Sequence, residues 1–102
     1  MNRNPYYHSR RDVIPRKYAY RCWGADGTHQ TTDIAMRARK PDQARADLIA
    51  YRDMNDDWPT ATWYLEYRIN GNWHVVAHIN PGADDVIDYK HPVPRTTGEA
   101  TL

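Results

Sequence analysis

The sequence predicts an α+β domain: a four-stranded antiparallel sheet in the order strand, strand, helix, strand, strand, with one helix packed on one face. Three observations predict it. Residues 13–39 and 60–79 each alternate apolar and polar side chains around a glycine-containing turn signal. Between them, residues 41–54 repeat apolar side chains at helical spacing. Two hairpins and one helix bury their apolar sides most simply as a sheet carrying a helix layer.

The 102 residues allow one domain at most, and 40% hydrophobic composition predicts a modest core. Residues 1–12 are polar and basic without periodicity and read as a flexible arm. Residues 13–80 then form the domain.

The first strand spans residues 13–24, with Pro15 placing its start on a sheet edge. Asp26-Gly27 marks the turn, and residues 28–39 return with an apolar row of Ile34, Met36 and Ala38. A three-residue loop over Ala25, Asp26 and Gly27 pairs Cys22 with Gln30, Tyr20 with Thr32 and Tyr18 with Ile34. It also puts Tyr20, Cys22, Ile34 and Met36 on one face.

The helix is predicted over residues 41–54. Pro41 suits its first turn, Asp42 suits its positive end, and Ala44, Leu48 and Tyr51 form its stripe, widened by Ile49. The turn Asn55-Asp56-Asp57 ends it, and Pro59 blocks continuation.

Residues 60–79 form the second hairpin around Asn70-Gly71. A two-residue turn there would place the two apolar rows on opposite faces. A three-residue loop with Gly71 left-handed instead pairs Tyr67 with Trp73, Leu65 with Val75, Trp63 with Ala77 and Ala61 with Ile79, and is the register expected. After it, residues 81–102 read as a largely disordered, acidic, proline-containing tail. Val86, Ile87 and Tyr89 offer at most a short turn or edge strand.

No run of 18 apolar residues predicts a membrane span, and the charged N-terminus lacks the apolar stretch of a secretory signal. Cys22 is the single cysteine, so no intrachain disulfide forms, and a reducing cytoplasm is the simplest compartment. His74 and His78 lie about 13 Å apart along a strand, too far for one metal ion. With no nucleophile–base pair, glycine-rich phosphate loop or cysteine cluster, the expectation is no enzyme, no cofactor and no metal.

What remains points to binding. There are 8 Tyr and 4 Trp but no Phe, so every aromatic ring carries a polar handle suited to a half-wet surface. Residues 1–24 carry charge +5 and residues 55–102 carry −4, which gives the net +1. The sheet face away from the helix is expected to gather the partner-binding residues Arg21, Trp23, Arg37, Arg39, Tyr64, Arg68 and His74. Arg and aromatic rings anchor protein interfaces, so the leading expectation is a small non-enzymatic protein binding another protein or its own copy through this face. The second is a nucleic-acid-binding accessory protein using the basic arm and the sheet arginines.

Tyr18-Ala19-Tyr20-Arg21, the Asp26-Gly27 turn, and the following strand and helix resemble the small sheet-plus-helix DNA-binding domains of phage integrases. The resemblance is at the level of fold and covers roughly 35 residues. This chain predicts two strands ahead of the helix where those domains have three.

Overall fold

The computed structural model describes residues 14–95. Its elements are β1 (Tyr20–Ala25), β2 (Ile34–Met36), α1 (Pro41–Met54), β3 (Thr62–Ile69), β4 (Asn72–Ile79) and β5 (Ile87–Pro94). The protein is α+β with one antiparallel sheet, but the sheet has five strands rather than four, in the order β2-β1-β3-β4-β5. Only β1 and β2 precede the helix, so the three-stranded integrase arrangement is not reproduced.

The extra strand lies in the segment read as a tail. Ile87–Pro94 is mostly exposed and contains Pro92 and Pro94, so it has none of the burial pattern that signals a strand. It joins through its backbone, with His78 opposite Ile87, Ala77 opposite Asp88 and Val75 opposite Val93. Prolines are tolerated there because β5 is an edge, and they withhold N–H donors from its open side. The arm at residues 1–12 and the last seven residues of the tail lie outside the described residues.

Next to its turn the second hairpin takes the two-residue register set aside in favour of the three-residue loop. Asn70 (φ 51°) and Gly71 (φ 84°) form a two-residue turn with both residues left-handed, the geometry that matches strand twist. Ile69 therefore faces Asn72, Arg68 faces Trp73, Tyr67 faces His74 and Glu66 faces Val75. Val76 then stands without a partner as a bulge. Beyond it Leu65 faces Ala77 and Trp63 faces Ile79, correcting the expected Leu65–Val75 and Trp63–Ala77 pairs. The bulge splits one alternating row: Ala77 and Ile79 join Leu65 and Trp63, while Val75 and Trp73 share the other face with Glu66 and Arg68.

The first hairpin keeps its expected face but slides by four residues. Tyr20 faces Met36 and Cys22 faces Ile34, while the intervening loop makes one isolated bridge between Ala25 and Gln30. Asp26 organises that loop. Its Oδ1 accepts the backbone N–H groups of Thr28 (2.9 Å) and His29 (2.8 Å), and its Oδ2 accepts the Trp58 indole N–H at 2.8 Å. This arrangement ties the β1–β2 loop to the segment between α1 and β3.

The helix occupies the expected span. No side chain caps Lys40, but Gln43 Oε1 accepts the Arg39 N–H at 3.0 Å, and at the other end Asn55 Nδ2 donates to the Tyr51 carbonyl at 2.8 Å. Ala44 and Leu48 are fully buried in one apolar cluster with Tyr20, Cys22, Met36, Trp63, Leu65, Ala77 and Ile79. That cluster defines the core side of the sheet.

Candidate binding face

On the side away from the core, β1 and β3 bring Arg21 opposite Glu66 and Trp23 opposite Tyr64. Two further residues converge there. Asp33 comes from just before β2 and Arg95 from just after β5. Arg21 Nε donates to Glu66 Oε1, and Arg21 Nη1 lies 3.2 Å from Asp33 Oδ2. Arg95 Nη1 lies 2.9 Å from Asp33 and 3.2 Å from Glu66. The Trp23 indole donates to Glu66 Oε2 at 3.0 Å. Two cations and two anions thus make a closed, neutral network. Arg21 is 2% exposed and Glu66 0%.

Asp33 and Arg95 flank the two opposite edge strands. A flat five-stranded sheet would hold its edges about 19 Å apart at normal strand spacing. Their side-chain contact bridges this face, so the sheet curves toward it at the Arg21–Glu66 end while β2 and β5 remain unpaired edges. Aromatic rings line this end: the guanidinium groups of Arg21 (4.4 Å) and Arg68 (4.3 Å) both lie over the Trp73 ring, and Arg95 lies over Trp23 at 4.5 Å. Burial pulls the Arg21 guanidinium below its usual range, against the opposing pull of Glu66 and Asp33.

The chain matches no family model, no curated protein and no solved structure.

The expected binding residues separate into two groups. Arg21, Trp23, Tyr64 and Arg68 come together on the coiled face. Arg21 is spent in the network, and Arg68 donates to the carbonyls of Ile14 (3.1 Å) and Pro15 (3.2 Å). His74 pairs with Tyr67, which the two-residue turn places on the other side. Arg37 and Arg39 are exposed next to helix residues. Arg37 lies in a groove with Asp47 and Tyr51, and Arg39 in a cleft with Pro41 and Arg45.

The half-exposed end of the face holds a row the sequence reading gathered only in part. Trp23 stacks on Tyr64 (centroids 4.3 Å, 24° between planes), Tyr64 lies 6.0 Å from His78, and His78 lies 5.4 Å from Tyr89. The row crosses β1, β3, β4 and β5, and the Tyr89 hydroxyl meets His78 Nδ1 at 2.8 Å. Ile87, opposite His78, is 43% exposed beside it. Tyr89 is expected only within a short turn or edge strand, so the sequence does not place it on this face. Among the described residues no group of three or more His, Cys, Asp or Glu is placed to hold a metal ion. No described helix is long and apolar enough to cross a membrane.

Proposed function

We propose that this chain is a small non-enzymatic binding protein whose contact surface for a protein partner or a second copy is the aromatic row Trp23–Tyr64–His78–Tyr89. The observation that carries the reading is the continuity of that row across four adjacent strands, each ring half-buried, beside exposed Ile87. Such rings supply large contact area at low entropic cost and dominate interface energetics. The neutral network beneath holds Trp23 and closes the rest of the face, leaving the row as its accessible part.

Nucleic-acid binding is the weaker reading on physical grounds. Phosphate binding needs uncommitted cations, whereas Arg21 is neutralised by Glu66 and Asp33, and Arg37 and Arg39 lie away from the row. The deciding experiment measures assembly by light scattering, and capture of partners with and without nuclease. Complexes should survive nuclease, be lost in Tyr64→Ala and Ile87→Asp, and persist in Arg37→Ala/Arg39→Ala. Micromolar DNA or RNA binding that falls steeply with salt and disappears with the arginine changes would overturn the reading.

A further inference from the structure

We propose that a second site, sharing Tyr89 with the aromatic row, exists on the core side: the cleft beside the first turn of α1 binds a small arene carrying one carboxylate or phosphate group. The cleft measures about 410 Å³ and opens between α1, β3 and β5. That volume lies at the small end of the range for ligand pockets, roughly 300–1,000 Å³.

Its lining sets the chemistry. Leu65, 2% exposed, provides an apolar floor. Tyr20 and Tyr67 form an aromatic wall, their centroids 4.8 Å apart and tilted by 39°. Tyr20 is 5% exposed whereas Tyr67 is 38% exposed, so the Tyr67 ring stands at the mouth, where a planar ring can stack. Burial, reinforced by the neighbouring Tyr67, raises the Tyr20 phenol above its usual range. It therefore remains a neutral hydroxyl, able to donate to a ligand oxygen.

Charge selects an anion. Arg45 is already committed, lying 2.6 Å from Asp42 and 3.5 Å from Asp88 across the cleft. Arg39 also lines the cleft, and among the described residues its guanidinium has no carboxylate partner. Pro41 opens the helix at the same place, where Asp42 in the first turn already meets the positive end of the helix dipole, so Arg39 is the group left to meet an anion. With Arg45 holding Asp42 and Asp88 the cluster is neutral overall, and Arg39 is its one cation without a carboxylate partner among the described residues; beside an aromatic wall it fits a ring bearing a single anionic group. It fits neither a bare anion nor a neutral ring as well.

The test uses the whole chain with phenyl phosphate and benzoate as probes, and inorganic phosphate and benzyl alcohol as controls, followed by calorimetry and by amide NMR shifts. The arene anions should saturate, with shifts centred on Tyr20, Arg39 and Tyr67, and should bind at least tenfold more tightly than either control. Arg39→Ala and Tyr67→Ala should each weaken them tenfold or more, Arg39→Ala with an unchanged melting temperature, Tyr67→Phe should retain most affinity, and Arg37→Ala should have no effect. Tyr89 is left intact because it also belongs to the aromatic row. Absence of saturation, equal binding of a control, shifts centred elsewhere, or full affinity in Arg39→Ala would each overturn the proposal.

Discussion

Gly24 of β1 lies directly against the indole of its cross-strand partner Trp63: a Cβ at Gly24 would sit 2.7 Å from Cε2 of that ring. Trp63 is 1% exposed and has no room to retreat. Gly24→Ala should therefore destabilise the fold by about 1–3 kcal/mol through overpacking. Urea unfolding measures this, and pairing Gly24→Ala with Trp63→Leu should recover part of the loss. An unchanged midpoint for Gly24→Ala alone would mean that the indole shifts freely.

Glu66 accepts from Arg21, Trp23 and Arg95 while fully buried. Glu66→Leu alone strands buried cations and should cost about 3–5 kcal/mol. Arg21→Met with Glu66→Leu leaves Asp33 and Arg95 as a balanced pair, so the double variant should lose less than the sum of the two single changes. A double-mutant cycle in urea checks the coupling; strict additivity would contradict the network.

Arg95→Ala should also lower the melting temperature, although the sequence places this residue in a segment expected to be largely disordered. It removes the group that joins Asp33 to Glu66 across the coiled sheet. Thermal denaturation followed by circular dichroism gives the comparison, with Lys90→Ala, on an exposed position of β5, as the neutral control.

Cys22 is completely buried, and burial pushes its thiol up to about 12. The reactive species is the thiolate. At pH 8 the native protein should therefore leave an aromatic disulfide reagent unreduced, then release one equivalent of thiol on unfolding. Fast reaction of the native protein would show that this part of the core opens readily.

Asp26 stabilises the fold in its charged form. The backbone N–H of His29, then that of Thr28 and the Trp58 indole, hold its carboxyl well below the usual carboxylate range. A depressed folded-state value means a contribution present above the ordinary value and lost as pH falls below about 4. Asp26→Asn keeps an oxygen for the turn but replaces the Trp58 acceptor by a donor. Its melting temperature should be lower at neutral pH and fall less steeply between pH 5 and 2 than that of the unchanged chain. Parallel curves would remove Asp26 from the acid response.

Local chemistry alone accounts for several features. Pro41, Asp42 and the Ala44–Leu48 spacing specify the helix from within one segment, and the helix spans Pro41–Met54 as that spacing requires. The alternation of Tyr20 and Cys22 with Ile34 and Met36 settles which side of β1 and β2 is buried, because period two survives a slide of four residues. Gly71 is left-handed, as its place after Asn70 demands.

Other features depend on partners distant in sequence. Turn preference and burial made conflicting demands on the second hairpin, and the chain meets both by placing a bulge at Val76, a position with no signature of its own. The two-residue turn sends Trp73 to the side of Arg68 and His74 to the side of Tyr67, and the bulge then returns Ala77 and Ile79 to the side of Leu65 and Trp63, which a uniform alternation cannot express. β5 is held by backbone pairing to β4 rather than by apolar periodicity, so its side chains carry almost no trace of it. Arg21, Asp33, Glu66 and Arg95 read singly as solvated charges. Only the curvature of the sheet makes them one buried network, because desolvation and ion pairing depend on distances that the chain acquires on folding.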